Sequence, residues 1–294
     1  MSNTPYRSLS AYLTERFGQK LYKLTLDGGM TCPNRDGTVG SGGCIFCLNG
    51  SGAFAQRSCG DINAQIEQAK AQVAAKNRSD RYIAYFQSYT NTYAPVEYLE
   101  GLFKPVVERQ DIAVLDIATR PDCLGDDVIG LLSELNRIKP VWVELGLQTA
   151  DEHTARLIRR GYELPVYDDA VRRLHAAGIE VITHMIIGLP GESIVQMENT
   201  VRHIISAGSE GIKLQLLHIL RGTPLEEMYR AGEVRVMELE EYARTVARLI
   251  RMLPPEMVVH RITGDGARSE LAAPLWSLDK KRVLGTIARE LSKR

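Results

Sequence analysis

Three cysteines, Cys32, Cys44 and Cys47, fall within one glycine-rich segment, CPNRDGTVGSGGCIFC. From spacing alone, two chemistries fit them. Three thiolates can hold three irons of a 4Fe-4S cluster and leave the fourth iron open, whereas an electron-carrying ferredoxin cluster takes four. Cys44-x2-Cys47 is equally half of a zinc ribbon, which Cys59 could complete, although no second C-x-x-C follows. Unligated structural thiols are the bland alternative. The glycines between Cys32 and Cys44 permit the positive-φ turns that wrap a backbone closely around an inorganic core.

Further polar groups recur at regular places along the chain, and those places are strand ends. Apolar runs of strand length cover 20–26, 82–86, 112–118, 141–147, 179–187 and 212–217. Amphipathic helical spacing covers 61–77, 95–109, 124–137, 151–177 and 192–207 between them. Six β-then-α units predict an α/β fold, a partial (β/α)6 TIM-like barrel, whose chemistry lies at the C-terminal ends of the strands. The cysteines follow the first strand. QSYTNTY, TRPDC, ELGLQT, HMIIGLPGE and HILRGTP follow or end the other five. Caps and turns explain each singly; five together point to one polar rim.

The 294 residues, 44% hydrophobic, suffice for one barrel-sized domain. The reading divides them into an N-terminal helical extension over 1–19, a barrel over 20–236 and a C-terminal extension over 237–294. In that extension a helix at 238–252, a strand at 258–262, the turn around Asp265 and a helix at 279–293 should close the open flank of the barrel. There is no apolar run of signal-peptide or membrane-spanning length, and five cysteines, three of them clustered, suit a reducing compartment, so a cytoplasmic location is expected. Zero net charge removes the global signature of a nucleic-acid binder. An RNA partner would need a local patch, such as Arg156, Arg159 and Arg160, or Arg172 and Arg173, or Lys280, Lys281 and Arg282 with Lys293 and Arg294.

Taken together, these segments resemble the radical S-adenosylmethionine (SAM) enzymes, whose partial barrel carries a three-cysteine cluster after its first strand. The usual spacing is C-x3-C-x2-C; here eleven residues separate the first two cysteines. That spacing, Phe46 before the last cysteine, and ELGLQT, HMIIGLPGE and LLHILRGTPL resemble the branch containing the elongator catalytic subunit and the oxygen-independent coproporphyrinogen oxidases. FQSYTNTY, TRPDCL, ITGDG and APLWSLDKKRVL resemble the bacterial subfamily of the YhcC and YtqA proteins.

The resemblance implies a 4Fe-4S cluster on Cys32, Cys44 and Cys47, with SAM chelating the open iron and yielding a 5′-deoxyadenosyl radical. Placement and exclusion of water are the protein's part. It places Gln87 and Ser88 where the superfamily often has a Gly-Gly-Glu turn at the methionine amine. Gln148 falls near the ribose hydroxyls, Arg160 at the SAM carboxylate, His184 where an acidic residue is common, and Gly188 in the turn packed against adenine.

The subfamily resemblance further implies a tRNA substrate: carboxymethylaminomethyluridine at the wobble position, converted to aminomethyluridine, with a flavodoxin or ferredoxin-type electron donor. The substrate carboxylate needs a cation, for which Arg120 and Arg221 are candidates. His218 or Tyr93 would serve beside them as polar orienters, and Cys123 could donate a hydrogen atom or react covalently at the barrel mouth. The rival readings are a small-molecule radical SAM enzyme, such as one acting on a porphyrinogen, and a zinc-stabilised RNA-binding barrel without catalysis.

Overall fold

A computed structural model describes residues 5–48, 61–75, 79–264 and 266–293; Cys59, Asp265 and Arg294 lie outside the described residues. Seven parallel strands form one curled half-barrel in the order β1 (Tyr22–Leu26), β2 (Tyr82–Phe86), β3 (Ile112–Thr119), β4 (Val141–Gln148), β5 (Glu180–Ile187), β6 (Gly211–Leu216) and β8 (Val258–Arg261). The first six coincide with the apolar runs. The seventh is the strand-like segment of the C-terminal extension, which pairs in parallel with β6 and covers that edge.

Helices α2 (Ile62–Val73), α3 (Val96–Glu108), α4 (Asp126–Ile138), α6 (Leu164–Ala176) and α7 (Ile194–Ala207) follow successive strands. In α3, Leu99, Phe103, Val106 and Val107 are buried at spacings of four, three and one, a single helix face turned to the sheet. Phe103 meets Phe86 of β2 edge-on, with ring centroids 5.0 Å apart. Ser193 and Gln196 form a reciprocal capping box that starts α7 directly after the Gly188–Gly191 turn.

The single helix expected over 151–177 is two. The chain makes α5 (Glu152–Leu157), turns, and restarts as α6. Arg159 (φ 56°) and Gly161 (φ 83°) are left-handed, which ends α5, and Pro165 near the start of α6 has no N–H to lose. The turn also buries Arg160.

Two additions frame the barrel. Helix α1 (Leu9–Phe17) packs beneath the N-terminal ends of the strands, where Leu13 joins Leu21, Ile83, Trp142 and Ile182 in one apolar cluster. Tyr12 donates to Glu180 at 2.9 Å, and Ser8 bridges to Val259. At the other end β7 (Ile219–Leu220) and β9 (Leu271–Ala273) make a small antiparallel pair beside α8 (Pro224–Arg230). Helices α9 (Leu239–Ile250) and α10 (Lys280–Ser292) complete the C-terminal part.

Candidate active site

The cysteine segment is an irregular loop held by side chains. Asn34, buried, donates from Nδ2 to the Arg159 carbonyl at 2.6 Å and to the Cys44 sulfur at 3.5 Å. Arg35 donates to the Leu48 carbonyl at 2.7 Å, and Thr38 shares a hydrogen bond with the Tyr93 hydroxyl at 2.9 Å. Gly40 admits no side chain: a Cβ there would stand 2.4 Å from Asn34 Oδ1. Main-chain bonds tie Ile45 to Ile158 and to Leu225, so the loop is fastened to the ends of α5 and α8.

Cys32, Cys44 and Cys47 thereby line one cavity of about 250 Å³ at the strand C-termini. Hydrogen bonding with Cys47 brings the Cys44 thiol down to about 7, opposed by burial and assisted by the Arg120 charge and the Asn34 amide. The Cys47 thiol is pushed up by that hydrogen bond and by burial.

Beneath the cavity, and reaching its wall through Tyr85, Glu144, His184, Lys213 and Gln215, is a layer of charge inside the sheet. Lys23 on β1 reaches Asp116 on β3 at 2.5 Å and Glu144 on β4 at 2.8 Å. Lys213 on β6 bonds Glu144 and donates to the Tyr85 hydroxyl at 3.1 Å. His184 on β5 donates from Nε2 to Glu144 at 2.7 Å and accepts from Gln215 on Nδ1 at 3.2 Å, which fixes its tautomer. Burial, with Lys213 nearby, holds the imidazole neutral, down to about 4. Asp116 and Glu144 have no solvent exposure. Barrel interiors are normally filled by branched apolar residues, so this layer is there for its polarity.

Several expected residues stand on the cavity wall. Phe46, Gln87, Gln148, His184 and His218 do. Gln148 is left-handed (φ 69°), and its Oε1 is buried without a hydrogen-bond partner, a vacant acceptor at the place a ribose hydroxyl is expected. The ring of His218 packs so closely on Gly264 and Gly266 that a Cβ at Gly264 would stand 2.7 Å from it.

Other expectations are corrected. Arg160 touches the cavity, but its guanidinium donates to the carbonyls of Thr149 (2.6 Å), Leu147 (3.3 Å) and Tyr162 (3.0 Å) and to Glu152 (2.9 Å). It holds the turn after β4 and is spent there. Arg120 is likewise engaged, with two bonds to Asp122 at 2.9 and 2.7 Å and one to the Arg160 carbonyl at 2.8 Å. Arg221 is exposed and off the wall; its main chain joins Glu270 beside β9. Ser88 and Tyr89 are both left-handed (φ 77° and 57°), and this double turn puts Tyr89 on the wall and Ser88 off it. Tyr93 grips the cysteine loop from outside the cavity. Gly188 (φ 88°) packs on Met237. Cys123 is off the wall too, and burial, with Asp122 beside it, pushes its thiol up to about 12.

Sequence reasoning passed over Lys23, Asp116, Lys213, Arg35 and Arg261. For all but Arg35, which lies in the cysteine loop, the signal was a charge inside a strand, as in IAVLDIAT and GIKLQL.

A barrel of this topology with a three-cysteine loop after β1 defines a class, and the comparisons agree. The Radical SAM superfamily profile matches residues 35–204, and the Radical SAM C-terminal domain profile matches 209–293. YtqA of Bacillus subtilis strain 168 is 45% identical over 296 residues, spanning 100% of this chain and 92% of that protein. YhcC of Escherichia coli strain K12 is 42% identical over 265 residues, spanning 90% and 85%. Among solved structures, the archaeal Methanocaldococcus infernus Elp3 with an N-terminal deletion superposes with a TM-score of 0.68 at 18% identity, over 92% of this chain; this chain spans 63% of that one. The chain belongs to the radical SAM superfamily, as a YhcC/YtqA-like member.

The cofactors of this class are a 4Fe-4S cluster and SAM, which displaces the zinc alternative. The residues fit them: three soft thiolate donors share one wall, and Gln148, whose buried Oε1 lacks a partner, stands on the same wall. Among the described residues no three His, Cys, Asp or Glu side chains are close enough to share a single ion. A cluster asks less, because each thiolate binds a different iron. No helix among the described residues is long and apolar enough to cross a membrane.

Proposed function

We propose that this radical SAM enzyme acts on tRNA, removing the carboxymethyl part of carboxymethylaminomethyluridine at the wobble position to leave aminomethyluridine. The observation that carries the reading is the pairing, in one cavity, of a three-cysteine wall with a cationic and polar floor. That floor suits a substrate tip bearing charge. The segments shared with the elongator branch and with YhcC and YtqA support the choice of RNA.

When bound, the cluster and SAM supply a radical able to take a hydrogen atom from an unactivated carbon. The glycine-like methylene of the substrate gives up that atom. Loss of one further electron, to a flavodoxin or ferredoxin-type carrier, and of the amine proton leaves a carbon-nitrogen double bond. Water adds there and splits it into the aminomethyl base and glyoxylate. The chain binds and orients. Gln148 accepts from a ribose hydroxyl, Gln87 faces the methionine amine, and Arg120 sets a positive charge beside Cys32 and Cys44. Tyr89 and His218 on the wall orient the base, and the apolar contacts of Phe46 exclude water.

Mass spectrometry of tRNA nucleosides from a strain lacking this gene, complemented with wild type or Cys44→Ala, tests the proposal. The expected result is accumulation of carboxymethylaminomethyluridine, reversed by wild type alone. An unchanged nucleoside profile in a host that makes these modifications would sink it.

A further inference from the structure

Two consecutive residues after β2 adopt backbone that suits glycine. Ser88 (φ 77°) and Tyr89 (φ 57°) are both left-handed, a conformation that costs free energy in a residue with a side chain and persists only where its surroundings enforce it. Asn91 enforces it. Fully buried, its Nδ2 reaches the carbonyls of Phe86 (3.3 Å), Ser88 (3.1 Å) and Ala118 (2.9 Å). The N–H of Thr90 donates to the Thr31 carbonyl at 3.2 Å and that of Asn91 to Ala118 at 3.2 Å, so the turn is tied both to β3 and to the residue before Cys32.

The strained turn presents Tyr89. Its ring is half-buried on the cavity wall, and among the described residues its hydroxyl has no hydrogen-bond partner. A tyrosine in a wall ordinarily secures that hydroxyl. Here the ring is the engaged part: the Arg35 guanidinium stands over it, 5.9 Å from the centroid. Arg35 is fixed in turn by the carbonyls of Leu48 (2.7 Å) and Cys47 (3.4 Å). Gly43 makes room for it, since a Cβ there would stand 2.9 Å from Arg35 Cγ. Both side chains line the cavity that holds the three cysteines.

We infer that Tyr89, backed by Arg35, is a stacking platform for one unpaired nucleobase, the base whose substituent reaches the cysteine wall. Arg35 covers one face of the ring and the base lies against the other. Single-stranded RNA is commonly held in this way, by aromatic and guanidinium planes, and every base has a face to offer, so the platform grips without reading sequence. A ring whose plane is set beforehand suits the task, and the left-handed pair with its Asn91 clamp sets it. Asn91 is thus a positioning residue. That the base belongs to tRNA rests on the reading above; the platform itself rests on the turn.

The test is fluorescence anisotropy on the holoenzyme, with cluster in place and SAM bound, using an anticodon stem-loop RNA with uridine at the wobble position and the same RNA made abasic there. Wild type is expected to bind the uridine RNA about tenfold tighter than the abasic one. Tyr89→Phe should keep that preference, because the ring remains. Tyr89→Gly, which suits the left-handed backbone, should erase it while iron content and SAM affinity stay within about twofold. Should Tyr89→Gly not fold, Tyr89→Asn, which also tolerates this conformation, takes its place. Equal binding of the two RNAs by wild type, or binding of neither, overturns the platform. So does a preference that survives in Tyr89→Gly, or one that is lost in Tyr89→Phe and so belongs to the hydroxyl. A matching loss of SAM affinity in Tyr89→Gly would give the ring to the cofactor's adenine and overturn it as well. The two readings fail separately: a uridine preference that depends on Tyr89, with an unchanged nucleoside profile in the strain lacking the gene, removes the wobble-uridine chemistry alone, and an altered profile without that preference removes the platform alone.

Discussion

Asn34 donates to the carbonyl oxygen of Arg159 at 2.6 Å, joining the cysteine loop to the turn after β4. The same amide approaches the Cys44 sulfur, and Gly40 and Gly161 leave it room by having no Cβ. Removing it leaves a carbonyl unsatisfied at a cost of about 1–3 kcal/mol, concentrated where the thiols are held. Asn34→Ala should therefore carry less iron and acid-labile sulfide per chain than wild type, with unchanged far-UV circular dichroism. Full cluster content in the variant would show that the loop does not need this brace.

Gln148 carries a liability that only a ligand can relieve. Its buried Oε1 has no partner, so Gln148→Leu should leave the cofactor-free protein as stable as wild type or about 1 kcal/mol more stable. SAM affinity should move the other way, weakening about tenfold through the lost hydrogen bond. Thermal melts and equilibrium dialysis check the two signs. A variant that binds SAM normally would free Gln148 from the ribose role.

Within the charged floor, removing one member is worse than removing a pair. Glu144→Gln leaves the buried Lys213 and the half-buried Lys23 without their shared partner and should cost about 3–5 kcal/mol. The double variant Glu144→Gln with Lys213→Met should recover part of that loss in urea unfolding. Additive losses would mean that the two residues do not act as a pair.

Glu192 gives the protein an unusual pH slope. Burial pushes its carboxyl up to about 7, against the hydrogen bond from Thr149, and Oε2 lacks a partner. Between the ordinary 4.5 and about 7 the unfolded chain releases this proton while the folded chain keeps it. Stability from this group is thus full at low pH and falls as pH rises, by on the order of 3 kcal/mol in all. Glu192→Gln should be the more stable protein at pH 8, with its advantage vanishing toward pH 4. A constant difference across that range would contradict the assignment.

The barrel was legible because buried parallel strands read as unbroken apolar runs, and the cysteine segment because thiol spacing is a direct statement of chemistry. The break at Arg159 and Gly161 was not, since a left-handed arginine leaves no mark in the residue types. Arg120 and Arg160 looked available because sequence shows a guanidinium but not the carbonyls that will occupy it. Arg120 bonds the main chain of Arg160, forty residues away, a contact that only the closed barrel creates. Lys213 was hidden for the opposite reason: a lysine in a strand ordinarily marks an edge or a solvent face, and here it marks the inside.

Helix α1 and its cluster around Trp142 stopper the barrel at the strand N-termini. Among the described residues the cavity is thus a cul-de-sac, and what enters by the strand C-termini leaves by the same door. A macromolecular substrate lying across that door would shut in whatever had arrived first. Steady-state kinetics should then follow a compulsory order, with SAM ahead of the large substrate and the spent adenosyl product last to depart.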